Sequence, residues 1–330
     1  MEAANGRAAP RPAQLQALRV ATRMFPVDRR WLQHVVLMDS PGLIACSDGS
    51  RILLLDPRNA QELLRWRCGS DSTVSALGAD NCAPRMAAGF NNGDVSVWSV
   101  TGQQEGKTLR HRGRVEVISL RGDLVAASTN PRDSWGQVIV SSVSTGAALA
   151  CLDLAAERPG SIQLVDSGRF LVVHGSDKAW NSVTEVWRSQ PDDSKNLWAP
   201  CFSSSSVSTR RHLPAVDTRN ARVLFSGSEA LELRLNQQPV QRAPLQTLRR
   251  FNGSRARCGR YFLSKLDERD GEKSARLFVV DSQNPQHVSW TLDVTSACVA
   301  KRIDMVDLLI GWRFVILVGG DTIGVCDFSA

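Results

Sequence analysis

The chain has 330 residues, 42% apolar and 22% charged, so it can bury a core and does not have the composition of a disordered polymer. No apolar run approaches the length of a membrane-spanning helix; stretches such as Phe314 to Val318 are strand-sized. The net charge is +7, and the basic residues are 34 Arg and 6 Lys, an excess that favours bidentate contact with carboxylate or phosphate.

Residues 1–14 are expected to form a disordered tail. Between residues 3 and 30, Arg7, Arg11, Arg19, Arg23, Arg29 and Arg30 face a single acid, Asp28, a bias shared with mitochondrial transit peptides. Glu2 and the modest apolar content oppose import, and no apolar secretory core is present. Cytoplasmic or nuclear residence is the expectation. The segment LQALRVATRMF, 15–25, is strand-like.

From residue 31 onward one pattern recurs. A short apolar strand runs into small residues and a polar turn. A second strand of alternating apolar residues follows, ending on a bulky or Asp-bearing position. The seven copies of this alternating strand, the third of its unit, are SDGSRILLLDP (47–57), NNGDVSVWSV (91–100), SWGQVIVSSVS (134–144), NSVTEVWRS (181–189), SEALELRLN (228–236), KSARLFVVDS (273–282) and GGDTIGVCDF (319–328). Aligned on Trp98, they place Leu55, Trp98, Ser141, Trp187, Arg234, Val280 and Cys326 in register, with spacings of 43, 43, 46, 47, 46 and 46 residues. A further strand precedes the pair in 31–39, 72–80, 114–123 and 160–168. Another follows in 62–68, 148–154 and 287–294. Four short antiparallel strands at a period above 40 residues read as a β-propeller blade. The expected fold is all-β, a single seven-bladed propeller over residues 15–330. The last copy stops at Ala330 without a fourth strand, so residues 15–25 are expected to supply it and close the ring.

The ending GDVSVWSV resembles the WD-repeat family, with Trp98 at the family's Trp and Ser99 at its Asp; Asp56, Asp281 and Asp327 take the Asp position in their own copies. The Trp recurs only at Trp187, and no Gly is followed by His anywhere, so the family's buried His–Asp network is expected to be absent or replaced. Trp98 and Trp187 are read as packing residues between blades.

Chemistry is sparse. Cys46, Cys68, Cys82, Cys151, Cys201, Cys258, Cys298 and Cys326 form no C-x-x-C pair and no zinc spacing, so reduced thiols, no metal and no cofactor are expected. His34, His111, His174, His212 and His287 fall in different units. No nucleophile elbow or phosphate-binding Gly loop is present. Asp48, Asp94, Asp177, Glu229 and Asp321 lie in the turns between second and third strands, which suits turn chemistry and, in a hydrolase reading, converging acids.

Recognition remains. The second-to-third-strand turn is long in two neighbouring blades, 129–137 and 174–182, and each carries a cation shortly before a Trp: Arg132 with Trp135, and Lys178 with Trp180. Arg112 and Arg114, in the link RHRGR, should share their face. These six are the candidate partner-binding residues, suited to a protein with an acidic surface. The alternative for each Trp is a plug packed into its own loop. A second cluster, Arg249, Arg250, Arg255, Arg257 and Arg260 around Phe251, belongs to the opposite face and offers RNA phosphate contact and stacking. The Ser-rich stretch 201–212 reads as an inter-blade link and phosphorylation site, and 265–274 as a solvated hairpin. The leading expectation is a non-enzymatic scaffold or adaptor subunit. A ubiquitin-ligase substrate receptor is a specific form, since Leu55-Asp56-Pro57-Arg58 resembles the cullin-adaptor box with Leu at its aromatic position. A ribonucleoprotein-binding propeller is the alternative and a propeller hydrolase the third reading.

Overall fold

A computed structural model describes residues 18–21, 23–27, 33–38, 41–68, 72–80, 82–130, 137–192, 195–206, 214–217, 220–225, 231–237, 241–244, 261–265, 276–281, 288–293, 307–310, 314–319 and 322–327. These residues form seven four-stranded sheets. The amino-terminal β1 (Leu18–Ala21) and β2 (Arg23–Pro26) come first. Blade 1 is β3 (His34–Met38), β4 (Leu43–Ser47), β5 (Arg51–Leu55) and β6 (Glu62–Arg67). Blade 2 is β7 (Val74–Ala79), β8 (Arg85–Phe90), β9 (Asp94–Ser99) and β10 (Gln104–Arg110). Blade 3 is β11 (Arg114–Arg121), β12 (Leu124–Asn130), β13 (Gln137–Ser142) and β14 (Ala148–Asp153). Blade 4 is β15 (Arg158–Val165), β16 (Phe170–Ser176), β17 (Ser182–Asp192) and β18 (Lys195–Ser206). Blade 5 is β19 (Ala215–Asp217), β20 (Arg222–Phe225), β21 (Leu231–Arg234) and β22 (Gln241–Pro244).

The last two sheets borrow from the amino terminus. Blade 6 holds β23 (Tyr261–Lys265), β24 (Arg276–Asp281) and β25 (Val288–Asp293), with β1 alongside β25. Blade 7 holds β26 (Asp307–Ile310), β27 (Phe314–Gly319) and β28 (Thr322–Asp327), with β2 alongside β28. The expected closing strand, 15–25, therefore divides. Arg23–Pro26 closes blade 7 antiparallel, Arg23 opposite Val325 and Pro26 opposite Thr322. Leu18–Ala21 pairs parallel with β25 of blade 6, Leu18 opposite Trp290. The division lets one extended segment cover two adjacent sheet edges. The expected tail, 1–14, lies outside the described residues.

The core lies between blades. Met38, Ile52 and Leu54 of blade 1 pack on Met86, Phe90 and Trp98 of blade 2. Val95 and Val97 meet Val115 and Val125, and Val138 and Val140 meet Ile162 and Leu171. Phe170 and Val186 meet Val223 and Leu233. Leu37, Ile44 and Leu53 pack on Ile316, Ile323 and Val325, joining the last blade to the first. Each such side chain contributes about 1.5–3 kcal/mol of apolar burial, so stability is spread around the ring. Polar stitches cross the same boundaries. Ser75 Oγ donates to the Val115 carbonyl at 2.7 Å, and Leu164 N–H donates to Ser119 Oγ at 3.0 Å. Asp80, fully buried, accepts from Arg85 at 2.8 Å and from Gly122 N–H at 3.0 Å.

One local expectation is corrected. Cys201 to Ser206, read as part of an inter-blade link, belongs to β18, the outer strand of blade 4, with Ser203 opposite Glu185 and Ser206 opposite Ser182. A run of Ser offers little apolar signal, but a ladder needs only backbone groups. Residues 207–212 of that stretch, and 266–274 of the expected hairpin, lie outside the described residues.

Candidate functional site

The turn from β16 to β17 is organised by Asp177. One carboxylate oxygen accepts the Asn181 N–H at 2.8 Å and the other the Asn181 amide at 2.9 Å. These bonds, the Asn181 side chain first, lower the Asp177 pKa. Trp180 N–H donates to the Asp177 carbonyl at 3.0 Å. The turn thereby holds Trp180 at φ +64°, the left-handed region a bulky residue rarely adopts. Its side chain is not a plug: Trp180 is 56% exposed.

Beneath it lies the link from blade 3. The Arg158 guanidinium carbon sits 3.8 Å from the Trp180 ring centroid, a cation–π contact. Glu157 pairs with Lys178 at 3.1 Å, tying link to turn a second time. Glu185, buried in β17, accepts the Ala156 N–H at 3.1 Å. Burial raises the Glu185 pKa, against the lowering effect of N–H donors from Ala156 and Ala155. Gly175 completes the fit, since a Cβ there would lie 2.3 Å from the Arg158 carbonyl oxygen.

The blade 3 side is built similarly. His111 N–H donates to the Gly93 carbonyl at 3.0 Å, and a Cβ on Gly93, at φ +90°, would lie 2.3 Å from the His111 carbonyl oxygen. Burial lowers the His111 pKa, with the charge of Asp94 acting in the opposite direction. Arg112 and Arg114 follow, both exposed, with Arg114 3.4 Å from Glu116. Arg114 lies opposite Asn130 and Arg158 opposite Ser176, so both inner strands begin at the end where second strands turn into third. Arg112, Arg114, Lys178 and Trp180 thus belong to one face, over blades 3 and 4. Arg132 and Trp135 lie outside the described residues.

Two members of this site, Arg158 and Glu185, were not among the candidates. Arg158 stands 44 residues after Arg114, at the same place in the repeat, a signal available in the sequence. Glu185 sits in the apolar strand VTEVW, where a lone carboxylate marks a buried polar contact.

The other candidates fall elsewhere. Trp98 is buried between blades 1 and 2, edge-on to Phe90 at 6.2 Å. Trp187 is half-buried against the core between blades 3 and 4. Asp48 bonds the Ser50 and Arg51 N–H groups at 2.9 and 2.8 Å and the Arg51 side chain at 2.9 Å. Burial works against its ionisation, but these bonds outweigh it and lower its pKa. Asp94 accepts from Asn92 at 2.8 Å. Asp48, Asp94 and Asp177 are therefore committed to their own turns. Glu229 and Asp321 lie outside the described residues, as do Arg249, Arg250, Arg255, Arg257, Arg260, His212 and His287. His174 is buried and bonded to Thr184 at 2.8 Å, and burial brings its pKa down to about 4. Leu55 is buried, Asp56 accepts the Arg58 N–H at 2.8 Å, and the pair forms the β5–β6 turn on the opposite face. Among the described residues no group of His, Cys, Asp and Glu could hold a metal ion.

Sheets of this kind, joined through inter-blade cores, define a β-propeller, the fold that the WD-repeat resemblance implies. No family model and no curated protein matches the chain. Among solved structures it is similar to the β-propeller domain of Cps50 (Swd1) from Myceliophteria thermophila, with a TM-score of 0.60 and 11% identity, covering 93% of this chain and 100% of that one. It is also similar to a chain of the mitotic checkpoint complex, with a TM-score of 0.58 and 10% identity, covering 99% of this chain and 97% of that one. At such identities the likeness is one of fold.

Proposed function

We propose that this chain is a non-enzymatic interaction scaffold, a subunit of a multiprotein assembly in the cytoplasm or nucleus. It engages protein partners through the face over blades 3 and 4. The observation that carries the reading is Trp180, more than half exposed, held in a left-handed turn with Arg158 against its ring. Trp and Arg are the residues most enriched at binding hot spots, and a pre-ordered indole loses little entropy on binding. Arg112, Arg114 and Lys178 add positive charge suited to an acidic partner surface, although Glu116 and Glu157 offset two of them. One structural neighbour comes from a complex, which agrees with assembly as a mode of action. The ubiquitin-ligase receptor form gains less support, because the box-like segment has buried Leu55 at its aromatic position.

Affinity capture with the full chain, compared quantitatively with Trp180→Ala, tests the reading. Partners held in stoichiometric amount should fall more than tenfold on the variant while its melting temperature stays within a few degrees. An unchanged partner set would remove this face from the interaction.

A further inference from the structure

The inner strands of the first four blades surround a cavity on the ring axis. It measures about 200 Å3 and is lined by β3, β7, β11 and β15. That volume takes about six waters at about 30 Å3 each, or one compact molecule somewhat larger than benzene. Each of these strands is the last of its sheet, so the edge it turns to the axis has no strand beside it. Alternate N–H and C=O groups of those edges face the cavity and make its wall a mixture of donors and acceptors.

We infer that this axial cavity is a binding site for a small uncharged polyol. Three observations converge. The register irregularities of β7, β11 and β15 fall at matching places and leave Ser75, Glu116 and Gly160 as the extra residues, all three on the cavity wall. Bulges re-aim side chains at the expense of ladder bonds. A channel that holds only water needs no such shaping, yet the three residues differ in size, and Gly160 leaves the wall open on the blade 4 side. A Cβ there would come no closer than 3.8 Å to its nearest neighbour, the His174 carbonyl oxygen. Next, Gln163, further along β15 on the same wall, is 6% exposed, and its Oε1 accepts no hydrogen bond among the described residues. A buried acceptor without a donor is costly, and a ligand hydroxyl entering beside Gly160 would satisfy it. Ser119 accepts the Leu164 N–H at 3.0 Å, which leaves its own O–H to donate. Because a hydroxyl both gives and takes a hydrogen bond, a polyol matches a wall of mixed sense. Finally, Glu116 is the one carboxylate among the described lining residues, and Arg114 offsets it at 3.4 Å. His34, the other titratable group of the wall, has a partner of its own. The balance of charge therefore favours a neutral ligand.

Gln33, Glu116 and Gly160 are exposed whereas Ser75 and Gln163 are buried, so the cavity opens where the links enter the blades and deepens towards Gln163. Trp180 belongs to the same face, but no described residue of its turn lines the cavity, and the two sites are separate.

Saturation-transfer NMR on the full chain, with erythritol, ribitol and myo-inositol as probes and isothermal titration of those that respond, tests the inference. At least one probe should bind saturably. Its affinity should fall more than tenfold with Gly160→Leu, which fills the cavity, and several-fold with Gln163→Met, which removes the acceptor. Glu116→Gln and Trp180→Ala should leave it within twofold. Erythronate, the carboxylate counterpart of erythritol, should bind more weakly than erythritol. Melting curves separate a filled cavity from a lost fold, and Gly160→Val serves as a second, smaller filling variant. Gln163→Met should keep or raise the melting temperature, since it replaces an unsatisfied buried acceptor by an apolar group of similar shape. A marked fall would show that the amide is already satisfied and would overturn the inference. No saturable binding by any probe would mean that water alone fills the cavity. That result, tighter binding of erythronate than of erythritol, or binding unchanged by both Gly160→Leu and Gln163→Met would overturn it as well.

Discussion

Two tryptophans show how one residue type serves opposite ends. Trp98 closes a strand of alternating residues and is buried between blades, where its area and its edge-on contact with Phe90 stabilise the sheet pair. Trp98→Ala should cost about 3–5 kcal/mol, as for other buried aromatics, and show as a clear fall in melting temperature. An unchanged melting temperature would refute the packing role. Trp180 is exposed at positive φ, so its replacement by Gly should leave stability within about 1 kcal/mol of the original, relief of strain offsetting added chain entropy. A loss of several kcal/mol in a denaturant titration would mean that the indole packs after all. Gly175→Ala makes the converse case: its Cβ must displace the Arg158 carbonyl, so the turn should shift and partner capture should weaken together with stability.

At the level of strands, the repeat alignment made on Trp98 can be read in the ladders. Leu55, Trp98, Ser141, Trp187, Val280 and Cys326 each lie opposite the second residue of the preceding strand, namely Ile44, Met86, Val125, Leu171, Phe262 and Val315. Arg234 in blade 5 lies opposite the first, Arg222. Irregularities repeat as well: the first two strands shift register between Val74 and Ala76, Val115 and Val117, and Pro159 and Ser161. Bulges in matching places are built-in bends of the inner strand. The division of the amino-terminal segment could not be read from its sequence, because a four-residue strand can pair with either exposed edge. It predicts two separable truncations. Removing residues 1–21 should uncover the β25 edge and promote self-association in size-exclusion chromatography, with little loss of thermal stability. Removing residues 1–26 should also open blade 7 and lower the melting temperature markedly. Identical behaviour of the two truncations would contradict a divided strap.

Over the whole molecule, acid should weaken the fold. His174 is held neutral in the folded state, with its pKa down from 6.5 to about 4, whereas the unfolded chain binds its proton near 6.5. Its contribution is present in full above pH 6.5 and is lost as pH falls towards 4, a change of about 3 kcal/mol. Glu185 acts in the opposite sense, since its raised pKa makes the fold gain from protonation as pH falls below that value. Chemical denaturation measured between pH 7 and pH 4 should show a net decline that His174→Asn flattens. A steep decline retained in that variant would assign it to other groups.

By itself the sequence determined the class of fold. Alternation at period two and a regular spacing above 40 residues leave few other ways to bury apolar faces that belong to many short strands. It also offered Lys178 and Trp180, a cation and an indole in an enlarged turn, and Arg112 and Arg114, in the link RHRGR, as candidates for recognition. Tertiary structure alone decided that Arg158 lies against Trp180, that Glu185 holds the Ala156 N–H and that Gly175 makes room for the Arg158 carbonyl. These contacts join residues 17 to 29 positions apart through the pairing of β15, β16 and β17. Sequence periodicity reports which face of a strand is buried; it does not report which loops the closing of a sheet brings within hydrogen-bond distance.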